Sequence, residues 1–301
     1  MSYRIDHKSS FSRTATQKYT GYTEEINAEE MSDLFLEIMQ NGVHGFCFSI
    51  YEEGQKPGDV ITADQIRKRL LILKEHSSWV RSFSCIEGNE LVPIIAKELG
   101  MKTLVGAWLS SDKEKNEEEI EALLKLAKEG YVDVAAVGNE VLYRHELSDD
   151  ELIEYIERVK KEVPEVPVGY VDAYYEFSAK PHITAACDII LCNCYPYWEG
   201  TSIDDSFNHM RQMFQSVLNV ANGKRVLVTE TGWPSNGESL RGAVPSHQNA
   251  LKYFRNTQLW SKDHNIEVFY FSSFDESWKK GAEGEVGAYW GIWDSNGKLK
   301  F

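Results

Sequence analysis

Arg225-Val226-Leu227-Val228-Thr229-Glu230-Thr231-Gly232-Trp233-Pro234 is an apolar, β-branched run that reaches a carboxylate and then breaks at Gly-Trp-Pro. A half-exposed strand alternates apolar and polar side chains, whereas a parallel strand covered on both faces reads as a continuous apolar run. The stretch therefore reads as a buried parallel strand with Glu230 near its end. Val132-Asp133-Val134-Ala135-Ala136-Val137-Gly138-Asn139-Glu140 has the same form and ends on Glu140. Further runs rich in Val, Ile and aromatic residues lie at 42–51, 79–85, 102–109, 166–174, 187–198 and 267–278, which makes eight candidate strands.

Helical patterns fill most of the gaps. Thr62 with Gln65, Asn116 with Glu119, and Ser148 with Glu151 have capping-box spacing, in which the first side chain accepts from a free amide of the opening turn. Apolar stripes at helical period follow: Ile66, Leu70 and Leu73; Ile120, Leu123, Leu124 and Ala127; Leu152, Tyr155, Val159 and Val163. Gly100, Gly130 and Gly223 are placed as C-terminal stops. Residues 207–220 and 251–260 also read as helices, and Pro181 interrupts 177–186. The charge runs at 114–121 and 149–161 read as solvated helix faces without functional meaning.

Strand and helix alternate without a linker or internal repeat, so residues 1–301 are expected to form a single α/β domain, a closed (β/α)8 barrel of the TIM type. An open doubly wound sheet is the competing architecture. No Gly-x-Gly-x-x-Gly turn or Walker loop follows any strand, although an open sheet that holds no nucleotide would lack them too. Residues 1–23 read as an extended N-terminal segment. Residues 27–40 read as a helix ahead of the first strand and nothing after Trp278 reads as one, so 28–40 is expected to take the place of the eighth outer helix.

The formal charge of −15 argues against nucleic acid or an anionic membrane surface as partner and weighs mildly against acidic polysaccharides. Acidity that only maintains solubility fits equally well, so charge excludes partners without selecting one. Cys47, Cys85, Cys187, Cys192 and Cys194 are odd in number and mostly lie in apolar runs, which suits buried free thiols better than a disulfide framework or a metal site. No histidine spacing suggests metal either. Residues 1–20 lack the apolar run of a signal peptide, so the chain is either not exported or had its signal trimmed, and no apolar run approaches a membrane span.

Side chains of a strand alternate, so Glu140 should share a face with Gly138, Ala136 and Val134, and Glu230 with Val228 and Val226. The C-terminal strand ends of a barrel surround its open mouth. Two carboxyls there suit cleavage of an acetal between sugars, one giving a proton to the departing oxygen and the other meeting the oxocarbenium-like centre. A structural ion pair is the competing reading, since a buried carboxylate is costly unless paired.

At these residues the chain resembles glycoside hydrolase family 17, which includes β-1,3-glucanases and glucanosyltransferases. Thr229-Glu230-Thr231-Gly232-Trp233-Pro234-Ser235 matches that family's nucleophile signature, and Val137-Gly138-Asn139-Glu140 its acid/base signature. Asn193-Cys194-Tyr195-Pro196-Tyr197 resembles its sixth-strand segment. Phe274-Asp275-Glu276-Ser277-Trp278-Lys279 is similar to its eighth-strand Phe-Asp-Glu-Pro-Trp-Lys, with Ser277 replacing the proline. The resemblance spans 42 to about 294. It implies a barrel with the acid/base on strand four and the nucleophile on strand seven, and retention of anomeric configuration. Retention requires carboxyls ~5–5.5 Å apart.

On that resemblance Glu140 is the acid/base and Glu230 the nucleophile, and no metal or organic cofactor is needed. Asn139 is expected to meet the sugar 2-hydroxyl, and Tyr195 to donate to Glu230. Trp198, Trp233 and Trp278 are candidate sugar platforms, with Trp108 a weaker one, while Trp79 and Trp260 read as packing. Glu276 and Lys279 either bond glucan hydroxyls or form a surface ion pair. Arg81 is within reach of Glu230, and Phe83 departs from the family's Arg-x-Tyr pattern, so the hydroxyl contact there is not carried over. The expected activity is hydrolysis of β-1,3-glucan by a monomer whose partner is a neutral β-glucan. Glucanosyl transfer through the same intermediate is the alternative, followed by a catalytically silent glucan-binding barrel.

Overall fold

The computed structural model describes Phe11 and residues 26–301. The extended segment expected at 1–23 therefore falls, Phe11 apart, outside the described residues. Eight parallel strands pair in chain order and close into a barrel. They are β1 Val43–Cys47, β2 Ser77–Ser82, β3 Lys102–Ala107, β4 Val134–Asn139, β5 Val168–Ala173, β6 Ile190–Asn193, β7 Val226–Thr231 and β8 Val268–Tyr270. Each overlaps one of the apolar runs. Closure comes from β1 against β8, with Gly45 opposite Phe269 and Phe46 opposite Tyr270. Every residue of β4 and β7 is buried, which is why these strands read as unbroken apolar sequence.

Helix α1, Ala28–Asn41, precedes the barrel; α2 Ala63–Lys74, α3 Leu91–Glu98, α4 Lys113–Lys128, α5 Asp149–Glu162, α6 Tyr174–Ala179, α7 Pro181–Ala186, α8 Ile203–Val220 and α9 His247–His264 fill the crossovers. Pro181 opens α7 at the first helical position, where its missing amide costs nothing. Ser148 and Glu151 form a full capping box on α5. Thr62 accepts from the Gln65 amide, but Gln65 sends its Nε2 to the Ile50 carbonyl at 2.7 Å, so the box on α2 is half formed.

The start predicted for α4 at Asn116 is corrected. Asp112 caps this helix by accepting from the amides of Glu114 and Lys115, one turn earlier. Asn116 is buried in the first turn, where its side chain accepts from the Ser110 amide and donates to the Ser110 carbonyl, each at 2.8 Å. The Lys-Glu-Lys stretch before Asn116 is good helix-forming sequence, and Asp is as strong a cap as Asn.

After β8 the chain makes only short helical turns, at Ser277–Lys279, Lys280–Glu283 and Glu285–Ala288. Helix α1 packs on α9 and supplies the missing outer layer. Phe35 is fully buried there, its ring 5.3 Å from Phe254 and 5.5 Å from Phe301. The five cysteines are free and buried. No helix among the described residues is long and apolar enough to cross a membrane.

Candidate active site

The chain from β4 into its loop is irregular, and the irregularity orients Glu140. The pairing of β4 with β5 slips between Ala136 and Asn139. Gly138 and Glu140 have φ of +87° and +53°. A Cβ at Gly138 would approach the Tyr170 ring to 3.3 Å. Strict alternation, which would turn Asn139 and Glu140 to opposite faces, does not hold across this bulge, and both residues line one cleft. The Glu140 amide donates to the Val171 carbonyl at 2.7 Å, fixing the turn.

Glu230 arrives from β7 and is fully buried. Arg81 Nη1 donates to its Oε1 at 2.7 Å and the Tyr195 hydroxyl to its Oε2 at 2.8 Å. Arg81 also donates from Nη2 to Asn139 Oδ1 at 2.7 Å, which leaves the Asn139 Nδ2 to face the cleft. One buried cation thus orients both the Glu230 carboxylate and the amide beside Glu140.

Glu140 has a different environment. Burial, and next the charge of Glu230, push it up to about 7. Asn193 Nδ2 donates to its Oε1 at 2.8 Å. Asn193 is also the β6 residue opposite Glu230 in the sheet register. It accepts from the Thr229 hydroxyl at 2.9 Å, so its amide is held and its Nδ2 aimed. Asn193 was not assigned a role from sequence, although it opens the Asn-Cys-Tyr-Pro-Tyr segment that carried the resemblance.

The two carboxylates line a cleft of about 600 Å³. Its β8 wall holds Glu276, which accepts from Ser49 Oγ at 2.7 Å and Trp278 Nε1 at 3.2 Å and pairs with Lys279 Nζ at 2.5 Å. Trp278 also borders the cleft, edge-on to Tyr51 at 5.6 Å. Trp198 lies elsewhere, in a smaller depression of about 40 Å³ that Glu140, Tyr143, Tyr175 and Glu199 also line. A separate crevice of about 270 Å³ between α1 and α9 contains neither carboxylate.

Trp233 is corrected as a sugar platform. It is 1% exposed, donates its Nε1 to the Val244 carbonyl at 3.1 Å and packs between Tyr197 and Tyr253. Trp108 is 39% exposed and lines the large cleft. Trp79 and Trp260 are buried. The solvated reading of residues 114–121 also fails at Glu119, which is 3% exposed and lines the cleft. Its carboxylate accepts from Ser84 Oγ at 2.5 Å and the Cys85 amide at 2.7 Å. Helical periodicity turns this residue inward beside Ile120 and Leu123, a signal that its charged neighbours hid.

Among the described residues no group of His, Cys, Asp and Glu is arranged to hold a metal ion. Closed barrel, strand-end carboxyls and a cleft between them are the features of a barrel glycosidase. Residues 45–291 match the model of the BtgE/BtgC glycoside hydrolase domain. A glucan 1,3-beta-glucosidase of Candida albicans is 30% identical over 256 residues, 76% of this chain and 82% of the relative. One of Schizosaccharomyces pombe is 28% identical over 295 residues, 91% of this chain and 90% of the relative. The structure is similar to that of a glycoside hydrolase family 17 beta-1,3-glucanosyltransferase from Rhizomucor miehei, with TM-score 0.78 and 29% identity, covering 87% of this chain and 96% of that one. An active-site mutant of that enzyme has been solved with laminaritriose. The chain belongs to the BtgE/BtgC glycoside hydrolase family, and it is a glycoside hydrolase.

Proposed function

We propose that this barrel cleaves β-1,3-linked glucan with retention, Glu140 serving as acid/base and Glu230 as nucleophile. The observation that carries the reading is the contrast between the two carboxyls of one cleft. Glu230 is gripped by a guanidinium and a phenol, donors that favour a carboxylate. Glu140 is pushed towards its protonated form by burial and by Glu230. A proton held on Glu140 and a Glu230 carboxyl oriented by two donors are the acid and the nucleophile that a double displacement requires.

In the first step the Glu230 carboxylate attacks the anomeric carbon while Glu140 gives its proton to the leaving glycosidic oxygen. In the second, Glu140 takes a proton from the incoming hydroxyl, which attacks the same carbon and releases Glu230. Asn139, whose Oδ1 is held by Arg81 so that its Nδ2 is left to donate, is assigned to the sugar 2-hydroxyl. Glu276, Lys279 and Trp278 offer hydrogen bonds and an apolar face to further glucosyl units, and the names of the relatives supply the β-1,3 linkage.

Transfer to a second glucan is the other reading. This reading places the acceptor sugar against Trp198, whose shallow depression is lined by Glu140 as well. Product sizing on a short laminari-oligosaccharide separates the two: shorter products alone mean hydrolysis, and products longer than the substrate mean transfer. Glu230→Gln is expected to reduce turnover by at least ~10³-fold while laminari-oligosaccharide binding persists. Unchanged turnover would remove Glu230 as nucleophile.

A further inference from the structure

Arg144 lies outside the carboxylate pair yet joins two walls of the cleft. Its guanidinium stands 4.6 Å from the centre of the Trp108 ring. Nη2 donates to the carbonyl of Leu109, the residue after Trp108, at 2.8 Å. Nη1 donates to the carbonyl of Asn139, the residue before Glu140. The Arg144 amide closes the turn on the Glu140 carbonyl at 2.9 Å, and Nε donates to Glu146 at 2.8 Å.

Glu140 holds a φ of +53°, which a side-chain-bearing residue keeps only where its surroundings over-determine it. The Arg144 fork is one of the contacts that do so. Trp108 is 39% exposed and lines the same cleft as both carboxylates. A sugar ring presents an apolar face that rests on an indole. Covering Trp108 with such a ring would exclude water from the neighbouring guanidinium, and a cation on an aromatic face is held more tightly when desolvated. The same guanidinium grips the peptide that carries Glu140.

We propose that Arg144 is a positioning residue that couples a glucosyl unit resting on Trp108 to the placement of Glu140, so that filling the cleft at Trp108 accelerates the chemical step as well as improving affinity. The inference rests on the β-1,3-glucan reading above. Binding energy from a remote sugar is in this way spent at the reacting centre, which predicts that chain length acts on kcat and not on KM alone.

The test is steady-state kcat and KM on short and long laminari-oligosaccharides for the parent, Trp108→Ala, Arg144→Met, Arg144→Lys and the Trp108→Ala/Arg144→Met pair. In the parent kcat rises with chain length. Trp108→Ala and Arg144→Met each lower the ratio of kcat on long to kcat on short substrate about tenfold. Arg144→Lys recovers part of that ratio, since an ammonium keeps the charge but not the fork. The double variant is no worse than the poorer single one, because the two side chains act through one connection. Losses that multiply in the double variant, or variants in which only KM responds to chain length, overturn the coupling. Trp108 is exposed enough for its variant to fold and carries the test should Arg144→Met be unstable. A parent whose kcat ignores chain length overturns the coupling and leaves the glucan reading standing; a parent that cleaves no laminari-oligosaccharide overturns both.

Discussion

Burial and the facing Glu230 carboxylate push Glu140 up to about 7, while Glu230 sits between Arg81 and Tyr195. A glutamate that must begin protonated loses activity as pH rises through its own titration, so the alkaline limb of the rate profile is expected near pH 7. Glu230→Gln removes the second largest cause of that shift. Glu140 should then titrate at lower pH than in the parent, measured by carboxyl carbon NMR. A midpoint equal to the parent's would show that Glu230 does not hold Glu140 in its acid form.

Helix α1 is the element that departs from a simple strand-helix count, and its anchoring separates into a cap and a core contact. Asn27 and Glu30 form a reciprocal capping box at its start, and Phe35 is buried between Phe254 and Phe301. Asn27→Ala is expected to cost about 1 kcal/mol. Phe35→Ala should cost ~3–5 kcal/mol, because it leaves a cavity between α1 and α9. Denaturant unfolding followed by two probes checks both values. Similar small losses for the two variants would mean that α1 is peripheral to the barrel and not part of its outer layer.

Across the whole molecule, pH-dependent stability follows from which carboxyls are buried. Burial pushes Glu119 up to about 7. A folded pKa raised above the unfolded value gives stability that is complete below the unfolded value of about 4.5 and is lost as pH rises through about 7. Glu140 acts in the same sense. Asp149, lowered overall by its hydrogen bonds from Lys180 and His182 against a desolvation that raises it, acts in the opposite sense, its contribution being lost in acid. Burial holds His44 down to about 4, which likewise withdraws stability as pH falls below the ordinary histidine range. Comparing Glu119→Gln with the parent isolates one group. The melting temperature of the variant relative to the parent should rise between about pH 5 and about pH 8; a constant difference would show that Glu119 does not titrate in the folded protein across this range.

Much of this was legible because it is written at short range. Eight apolar runs reflect strands buried on both faces, Ser148 with Glu151 marks a helix start, and Gly100, Gly130 and Gly223 all hold positive φ beyond helix ends. Glu140 and Glu230 announced themselves as carboxylates closing apolar runs, where only a mouth lined with partners could keep them. Long-range relations were not legible. Strand alternation did not foretell the bulge that brings Asn139 and Glu140 to one cleft, because the slipped pairing with β5 depends on a neighbour 29 or more residues away, as the Asn139–Val171 register and the bond from Tyr143 to Asp172 illustrate. Trp233 looked like a platform by sequence position, yet Tyr197 and Tyr253 from other segments enclose it.

The sequence by itself pointed to the barrel, the order of its elements and the two glutamates at strand ends, since hydrophobic period and strand-end position are local properties of the chain. Arg81 and Tyr195 beside Glu230 were expected from the sequence, but only the tertiary structure brought Asn193 to Glu140 and Arg144 to the peptide before it. Asn193 and Arg144 form hydrogen bonds to residues far off in the chain, and a donor's direction is fixed by packing that no single segment contains.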